Sequence, residues 1–199
     1  MEIELPDTWP QFYTATIAEW RPLLELDKYK DIIIESFWFL VQTKRVILYG
    51  FVIMKNHVHV IWQATKQIRE ISIADKKIIS KAGLESVKHP LQKVQDSFLK
   101  FTAQQIKFDL IKNHPNILAL YKVNGYDRNY NFWKRRSLGI ELFTPAVFKQ
   151  KLDYIHRNPV KAGLCSSPEE YYYSSAGFYT SCIDRFNMLT RYEDSLTEG

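Results

Sequence analysis

Two β-type runs separated by only two residues constrain the fold of this chain more than any other feature. Residues 46–54 (VILYGFVIM) and 57–64 (HVHVIWQA) are rich in β-branched and aromatic side chains, and Lys55-Asn56 supplies a turn between them. Strands joined by so short a connection pair antiparallel, as a hairpin. The sequence therefore predicts a β-hairpin and, with it, an antiparallel sheet.

Strand and helix patterns alternate around this hairpin. Residues 12–17 are predicted to form a first strand, and residues 132–143 are predicted to be extended. Apolar residues recur at helical spacing in three segments, residues 27–45, 91–112 and 145–158. Thr144 is expected to cap the third helix and Pro159 to end it. This order predicts an α+β fold of the ferredoxin-like or RRM-like kind, an antiparallel sheet with helices packed mainly on one face.

The length of 199 residues, of which 46% are hydrophobic, suits one well-buried core. We expect a single domain over residues 1–199, with a core at about 12–178 and a C-terminal tail from about 179. Residues 65–90 have no clean periodicity and are interpreted as an insertion.

Charge and cysteine content narrow the classes of protein. The net charge of +5 is compatible with a polyanionic partner but also with many small-molecule enzymes. The two cysteines cannot build a disulfide framework, and residues 1–7 carry no apolar signal core. The most apolar run, residues 32–41, is too short to span a bilayer. We expect a cytoplasmic protein with no membrane partner.

Two histidines open the second strand of the hairpin. His57 and His59 are two residues apart, so both side chains should project from one face of the sheet while Val58 projects from the other. Paired imidazoles are good metal ligands and a poor apolar core. The alternative for this short motif is two histidines on a solvated strand face.

A second cluster of candidates lies on the third predicted helix. Tyr154 and Asn158 are four residues apart and share one helical face. They could supply a nucleophile and a third metal ligand. The alternative is a tyrosine that anchors the helix and an asparagine that satisfies its end.

Basic residues concentrate around this helix. Residues 132–163 contain seven Lys or Arg and only two acidic residues, interleaved with aromatic side chains. Cations for a phosphate backbone and flat rings for unstacked bases suit single-stranded nucleic acid, although a solvated basic face would account for part of the set. The candidate DNA-binding residues are Lys134, Arg135, Arg136, Lys149, Lys151, Arg157, Lys161 and Trp133.

Two motifs together resemble a known family. Residues 51–60 (FVIMKNHVHV) and 152–164 (LDYIHRNPVKAGL) are similar to the single-tyrosine HUH transposases, and most of all to their REP-associated tyrosine transposase branch. Softer similarities are FLKFT at 98–102, FW at 132–133 and YSSA at 173–176. The resemblance spans roughly residues 12–178, and residues 65–90 are longer than the family's usual connection.

The resemblance implies a metal-dependent transposase that cleaves and rejoins single-stranded DNA through a 5′-phosphotyrosine and a free 3′-OH. Tyr154 would be the nucleophile, and His57, His59 and Asn158 would hold Mg²⁺ or Mn²⁺, which neutralises the phosphate charge. A phosphotyrosine keeps the bond energy needed for rejoining. The expected partner is single-stranded DNA with hairpin structure, and a homodimer is left open.

Three alternatives remain at this point. A related HUH nicking endonuclease, of the replication-initiator or relaxase type, would use the same chemistry without transposition. A catalytically silent nucleic-acid-binding module would need none of His57, His59 and Tyr154. A metal-dependent phosphoesterase that activates water would not need Tyr154.

Overall fold

The computed structural model describes residues 9–68, 90–123, 125, 129–135 and 138–195. Four strands are β1 (Gln11–Thr16), β2 (Val46–Ile53), β3 (His57–Ala64) and β4 (Leu138–Glu141). The helices are α1 (Asp27–Gln42), α2 (Pro90–Asn113), α3 (Pro115–Ala119), α4 (Pro145–Lys161), α5 (Ala176–Ser181) and α6 (Tyr192–Ser195). Residues 69–89, most of the predicted insertion, lie outside the described part of the chain. No helix in the described ranges is both long and apolar enough to cross a membrane.

The four strands form one antiparallel sheet in the order β2-β3-β1-β4. The predicted hairpin is confirmed, because β2 and β3 pair directly across the turn at Lys55 and Asn56. The α+β class is confirmed with it. Because β3 is hydrogen-bonded to β1 on its other side, the histidine-bearing strand lies inside the sheet.

Alternation along β3 divides the core into two layers. Val58, Val60 and Trp62 face one layer, which α1 and α2 cover with a set of buried apolar residues that includes Ile33, Phe37, Leu91 and Phe98. Ile61 faces the opposite layer, which α4 covers. Helices α1 and α2 therefore share a face, as expected, but α4, which is as long as α1, lies on the other one.

Helix α4 comes close to β2 because of Gly50. A Cβ atom at Gly50 would lie 2.7 Å from Leu152 Cδ1 and 3.3 Å from Ile155 Cδ1, so any larger residue would require these side chains of the helix to shift. Thr144 caps α4 as predicted, its Oγ1 accepting a hydrogen bond from Val147 N.

Three sequence-based boundaries need correction. Pro159 does not end α4, which continues to Lys161; in the last turn the lost N–H costs a single helical bond. Among the described residues of the segment predicted to be extended over 132–143, a strand forms at Leu138–Glu141 alone, and Trp133 adds an isolated bridge to Ile17. The chain after 179 is not a separate tail: Tyr192 is buried and stacks on Phe148 of α4, with ring centroids 3.9 Å apart.

Candidate active site

The two histidines of β3 project from the face of the sheet that α4 covers. His57 and His59 have ring centroids 4.6 Å apart, with the ring planes at 69°. His59 is only 6% exposed and stacks on Phe12 of β1 at 5.2 Å. The predicted strand alternation therefore brings the two imidazoles into direct contact.

Each imidazole is oriented by a neighbouring polar side chain. Asn56 donates from Nδ2 to the carbonyl of Trp20, at 3.3 Å, which turns its Oδ1 toward Nδ1 of His57, 2.8 Å away. The hydroxyl of Thr14 lies 2.8 Å from Nδ1 of His59. With Nδ1 engaged in both rings, the Nε2 atoms are the nitrogens left to bind another group.

Both imidazoles are neutral near pH 7. Burial lowers the pKa of His57. Burial, together with the nearby His57 and Lys151, lowers the pKa of His59 to about 3. A neutral imidazole is the form that ligates a metal ion, so no proton has to be removed before binding at this pH.

Helix α4 places Tyr154 next to this pair. Phe148, Leu152 and Ile155 recur at helical spacing and bury one stripe of α4 against the sheet. Tyr154 lies beside that stripe, 42% exposed, and its ring contacts His59 at 5.3 Å. The phenol is thus held against the histidine pair while it stays open to solvent.

Two predicted cations flank the phenol ring. The ammonium groups of Lys151 and Lys161 lie 5.8 Å and 5.7 Å from the centroid of Tyr154, one turn before it and two turns after it. Lys151 also lies 5.1 Å from the centroid of Phe12. This arrangement offers positive charge on both sides of the phenol to an approaching anion.

Asn158 shares the helical stripe of Tyr154, as its position in the sequence predicts. Its Nδ2 donates to the carbonyl of Tyr154 at 2.8 Å, which leaves its Oδ1 as the atom that could ligate a cation. Among the described residues, no hydrogen bond joins Asn158 to either histidine.

The donor set fits a divalent ion with mixed nitrogen and oxygen ligands. Within the described ranges, no group of three or more His, Cys, Asp or Glu side chains is arranged to hold a metal. A cation at His57 and His59 would therefore take its remaining ligands from amide, water or substrate oxygens, and Asn158 stays the predicted source of one of them. Such a site keeps coordination positions open for a substrate, as catalytic sites do.

The remaining predicted DNA-binding residues are spread over different surfaces. Lys134 and Arg135 line a cleft of about 690 Å³ between α2 and residues 129–135. Lys149 and Arg157 are exposed on α4, without described contacts to the rings of the site. Arg136 lies outside the described residues.

The DNA-binding role predicted for Trp133 stays a prediction, although its ring is mostly buried at the edge of the same cleft. Its side chain is only 5% exposed and packs in the layer beneath α1 and α2. Its indole nitrogen donates to Oγ1 of Thr102 at 3.2 Å, which ties the ring to α2. An aromatic residue in a basic segment looks the same in sequence whether it is buried or exposed.

Four residues of the site escaped the sequence reasoning: Thr14, Phe12, Asn56 and Trp20. Thr14 and Phe12 are two residues apart on β1 and share a face, but only the β1–β3 register shows that they lie beside His59. Asn56 was interpreted as a turn residue. Nothing local in the sequence distinguishes Trp20 from any other surface tryptophan.

Other polar residues near α4 have partners outside the histidine pair. His156 is buried, and its Nε2 lies 2.8 Å from the hydroxyl of Ser175. Tyr171 donates to the carbonyl of Ile53, and Tyr173 donates to Asp31. These contacts anchor the chain after α4 to the sheet and to α1.

No protein-family model and no curated protein matches this chain. Among solved structures, it is similar to a REP-associated tyrosine transposase bound to a REP hairpin, with a TM-score of 0.56 and 12% identity over 96% of this chain and 90% of that one. A second similar structure is a candidate transposase from Deinococcus radiodurans R1, with a TM-score of 0.41 and 12% identity over 79% of this chain and 97% of that one. The chain therefore shares the fold of a REP-associated tyrosine transposase.

Proposed function

We propose that this chain is a transposase-like enzyme that cleaves and rejoins single-stranded DNA, with Tyr154 as its nucleophile. The observation that carries the proposal is the contact at 5.3 Å between the exposed Tyr154 ring and His59, one of two adjacent neutral imidazoles. A module that only binds nucleic acid needs no phenol at this position. A phosphoesterase that uses water does not need it either.

Each residue of the site has its own role in the proposed reaction. Lys151 and Lys161 pair with the non-bridging oxygens of the scissile phosphate. His57, His59 and Asn158 would hold Mg²⁺ or Mn²⁺, which when bound neutralises the phosphate charge and orients the phosphate for attack.

Cleavage and rejoining are reverse reactions at one phosphorus atom. In cleavage, the Oη–P bond of Tyr154 forms and the P–O3′ bond breaks; the phenol loses its proton, and the leaving 3′ oxygen takes one from solvent to become a hydroxyl. In rejoining, a 3′-OH attacks the same phosphorus and the phenol is regenerated. The 5′-phosphotyrosine conserves the energy of the phosphodiester, so no external energy source is required.

The proposed substrate is single-stranded DNA that folds into a hairpin. The solved structure with TM-score 0.56 holds a REP hairpin, which supports this substrate class for the same fold. The basic cleft that Lys134 and Arg135 help to line is a surface of suitable charge for the strand that flanks such a hairpin.

The test is covalent capture by Tyr154. The complete chain is incubated with Mn²⁺ and a labelled pool of single-stranded hairpin oligonucleotides with randomised flanks. Wild type is expected to form a DNA adduct that survives denaturation, and the Tyr154→Phe variant is expected to form none because only the hydroxyl has been removed. The adducted peptide is identified by mass spectrometry.

The matched control is Tyr172→Phe, since Tyr172 is also an exposed tyrosine, 50% accessible, and packs against Arg185 away from the histidines. This variant should form the adduct at the wild-type rate. Undiminished adduct formation by Tyr154→Phe, or an adduct mapped to residues 171–173, would refute the assignment. Cleavage without any adduct would point to a water-using phosphoesterase instead.

A further inference from the structure

An exposed tryptophan lies at the end of the site opposite Tyr154. Trp20 is 54% exposed, and its ring lies 5.9 Å from that of His57, in an edge-to-face arrangement. Successive ring contacts then run from His57 to His59 and from His59 to Tyr154. Among the described ring pairs, Trp20 contacts only His57 of this row, so it stands at one end and the phenol at the other.

The backbone that presents Trp20 is strained. Glu19 and Trp20 have φ angles of 56° and 57°, in the left-handed region that non-glycine residues rarely adopt. Two consecutive residues in this conformation persist only where the surroundings hold them. Such strain clusters at functional sites, so the position of this ring calls for a functional explanation.

The surroundings that hold the segment are the turn of the histidine hairpin. Ile17 N donates to the carbonyl of Asn56 at 2.9 Å, and Leu24 N donates to the carbonyl of Lys55 at 2.9 Å. The side-chain amide of Asn56 joins the carbonyl of Trp20 to His57. The backbone that carries the indole is thereby fixed with respect to the imidazole pair.

A cation accompanies the ring. The ammonium group of Lys134 lies 4.5 Å from the centroid of the Trp20 ring. The backbone nitrogen of Lys134 donates to the carbonyl of Thr16 at 2.8 Å, so this lysine is tied to the end of β1. A flat exposed ring with an adjacent ammonium group matches the two parts of a nucleotide, the base that stacks and the phosphate that pairs.

Exposure alone would not distinguish Trp20, because isolated exposed aromatic residues are normal. Trp38 on α1 is 49% exposed but lies within a regular helix. Within the described ranges, its ring contacts no other aromatic ring and no cation. The strained backbone, the histidine contact and the cation occur together only at Trp20 among the exposed tryptophans that the structure describes.

We propose that Trp20 and Lys134 hold the nucleotide on the 5′ side of the scissile phosphate. The proposal rests on the proposed function and deepens it. In an in-line displacement the nucleophile and the leaving oxygen lie on opposite sides of the phosphorus. Tyr154 attacks from its end of the row, so the leaving 3′ oxygen and its nucleotide are directed toward Trp20, where the base stacks and a phosphate pairs with Lys134.

This subsite retains the leaving strand. After cleavage that strand ends in a 3′-OH, and stacking on Trp20 keeps this hydroxyl near the phosphotyrosine. In rejoining, the hydroxyl attacks phosphorus, the P–Oη bond breaks, and the proton of the hydroxyl is lost while the phenol regains one. Since every base has a flat face, the subsite should bind different bases with similar affinity.

The test measures rejoining by the complete chain. A hairpin captured by the wild type and mapped for its cleavage position provides the adduct, and a 3′-OH acceptor strand is added at increasing concentration. We expect Trp20→Leu to raise the half-saturating acceptor concentration roughly tenfold, and an acceptor that is abasic at its 3′-terminal nucleotide to do the same with wild type. Combining the two changes should raise the half-saturating concentration little further, because both remove the same contact between base and indole. Trp20→Phe, which keeps a flat ring, should recover most of the loss.

The control is Trp38→Leu, which removes an equally exposed indole and should match wild type. The subsite would be overturned if Trp20→Leu and the abasic acceptor together raised the half-saturating concentration roughly a hundredfold. Effects that multiply in this way are independent of each other. If wild type forms an adduct but the two penalties multiply, the proposed function stands and the Trp20 assignment falls. If wild type forms no adduct with any hairpin, both fall.

Discussion

The residues around His57 and His59 keep both imidazoles neutral and set their orientation. Burial keeps both rings neutral, and Asn56 and Thr14 engage their Nδ1 atoms. Orienting groups of this kind fix the tautomer and the direction of a metal-binding nitrogen. The behaviour of the pair therefore depends on polar neighbours as well as on the histidines themselves.

The hydroxyl of Thr14 can be tested directly. Thr14→Val keeps the shape of the side chain and removes the group 2.8 Å from Nδ1 of His59. We expect Mn²⁺ affinity, measured by calorimetry, to fall roughly 10- to 100-fold, with single-stranded DNA affinity little changed. Thr14→Ser, which restores a hydroxyl, should recover most of the affinity. Unchanged Mn²⁺ binding by the valine variant would mean that Thr14 does not orient a ligand.

At the scale of elements, the pairing of α4 with β2 determines where Tyr154 stands. Leu152 and Ile155 pack where Gly50 leaves space, and the next stripe of the helix carries the phenol. Because the helix is rigid, a displacement at Gly50 is transmitted to Tyr154. The position of Tyr154, the proposed nucleophile, is thus coupled to a glycine in another element.

Gly50→Ala is expected to disturb this packing. The added methyl group would lie 2.7 Å from Leu152 Cδ1 within a packed core, so the free energy of unfolding should fall by about 1–3 kcal/mol, measured by denaturant titration. Adduct formation should slow as well, because Tyr154 moves away from His59. Gly177→Ala is the control: its nearest neighbour is 3.8 Å away and it lies in α5, so stability should stay the same or rise. A stable, fully active Gly50→Ala protein would contradict the coupling.

At the scale of the whole molecule, three histidines are buried or half-buried on the α4 side of the sheet. Burial lowers the pKa of His156 to about 4, although Asp153 acts in the opposite direction. His59 is lowered to about 3, and His57 is also lowered. The folded protein therefore keeps these rings neutral at pH values where the unfolded chain protonates them.

This difference predicts acid sensitivity of the metal-free protein. An unfolded histidine binds a proton below about pH 6.5, whereas folded His59 and His156 do so only near pH 3 and pH 4, and the pKa of His57 is shifted in the same direction. Their contribution to stability is complete above about pH 6.5 and is lost as the pH falls toward 4, by an amount on the order of a few kcal/mol. Denaturant titrations in chelator at pH 7, 5.5 and 4 measure the loss. His156→Gln should show a shallower dependence on pH than wild type, and equal slopes would contradict the assignment of His156.

Local periodicity explains how much of this protein could be predicted. A period of two along residues 57–64 predicted the hairpin strand and the common face of His57 and His59. A period near 3.6 predicted α4 and the shared stripe of Tyr154 and Asn158. Both patterns depend only on the geometry of a strand or a helix. The metal-binding and nucleophilic roles of these residues stay predictions.

Only the tertiary structure decided how elements that are distant in sequence lie relative to one another. Pairing with β1 placed β3 inside the sheet and brought Thr14 to His59. Packing at Gly50 put α4 on the histidine face, burial covered most of the Trp133 ring, and the hairpin turn fixed Trp20 beside His57. None of these follows from local patterns, because each depends on which surfaces pack together. The sequence by itself determined which residues share a face, and long-range packing determined which faces meet.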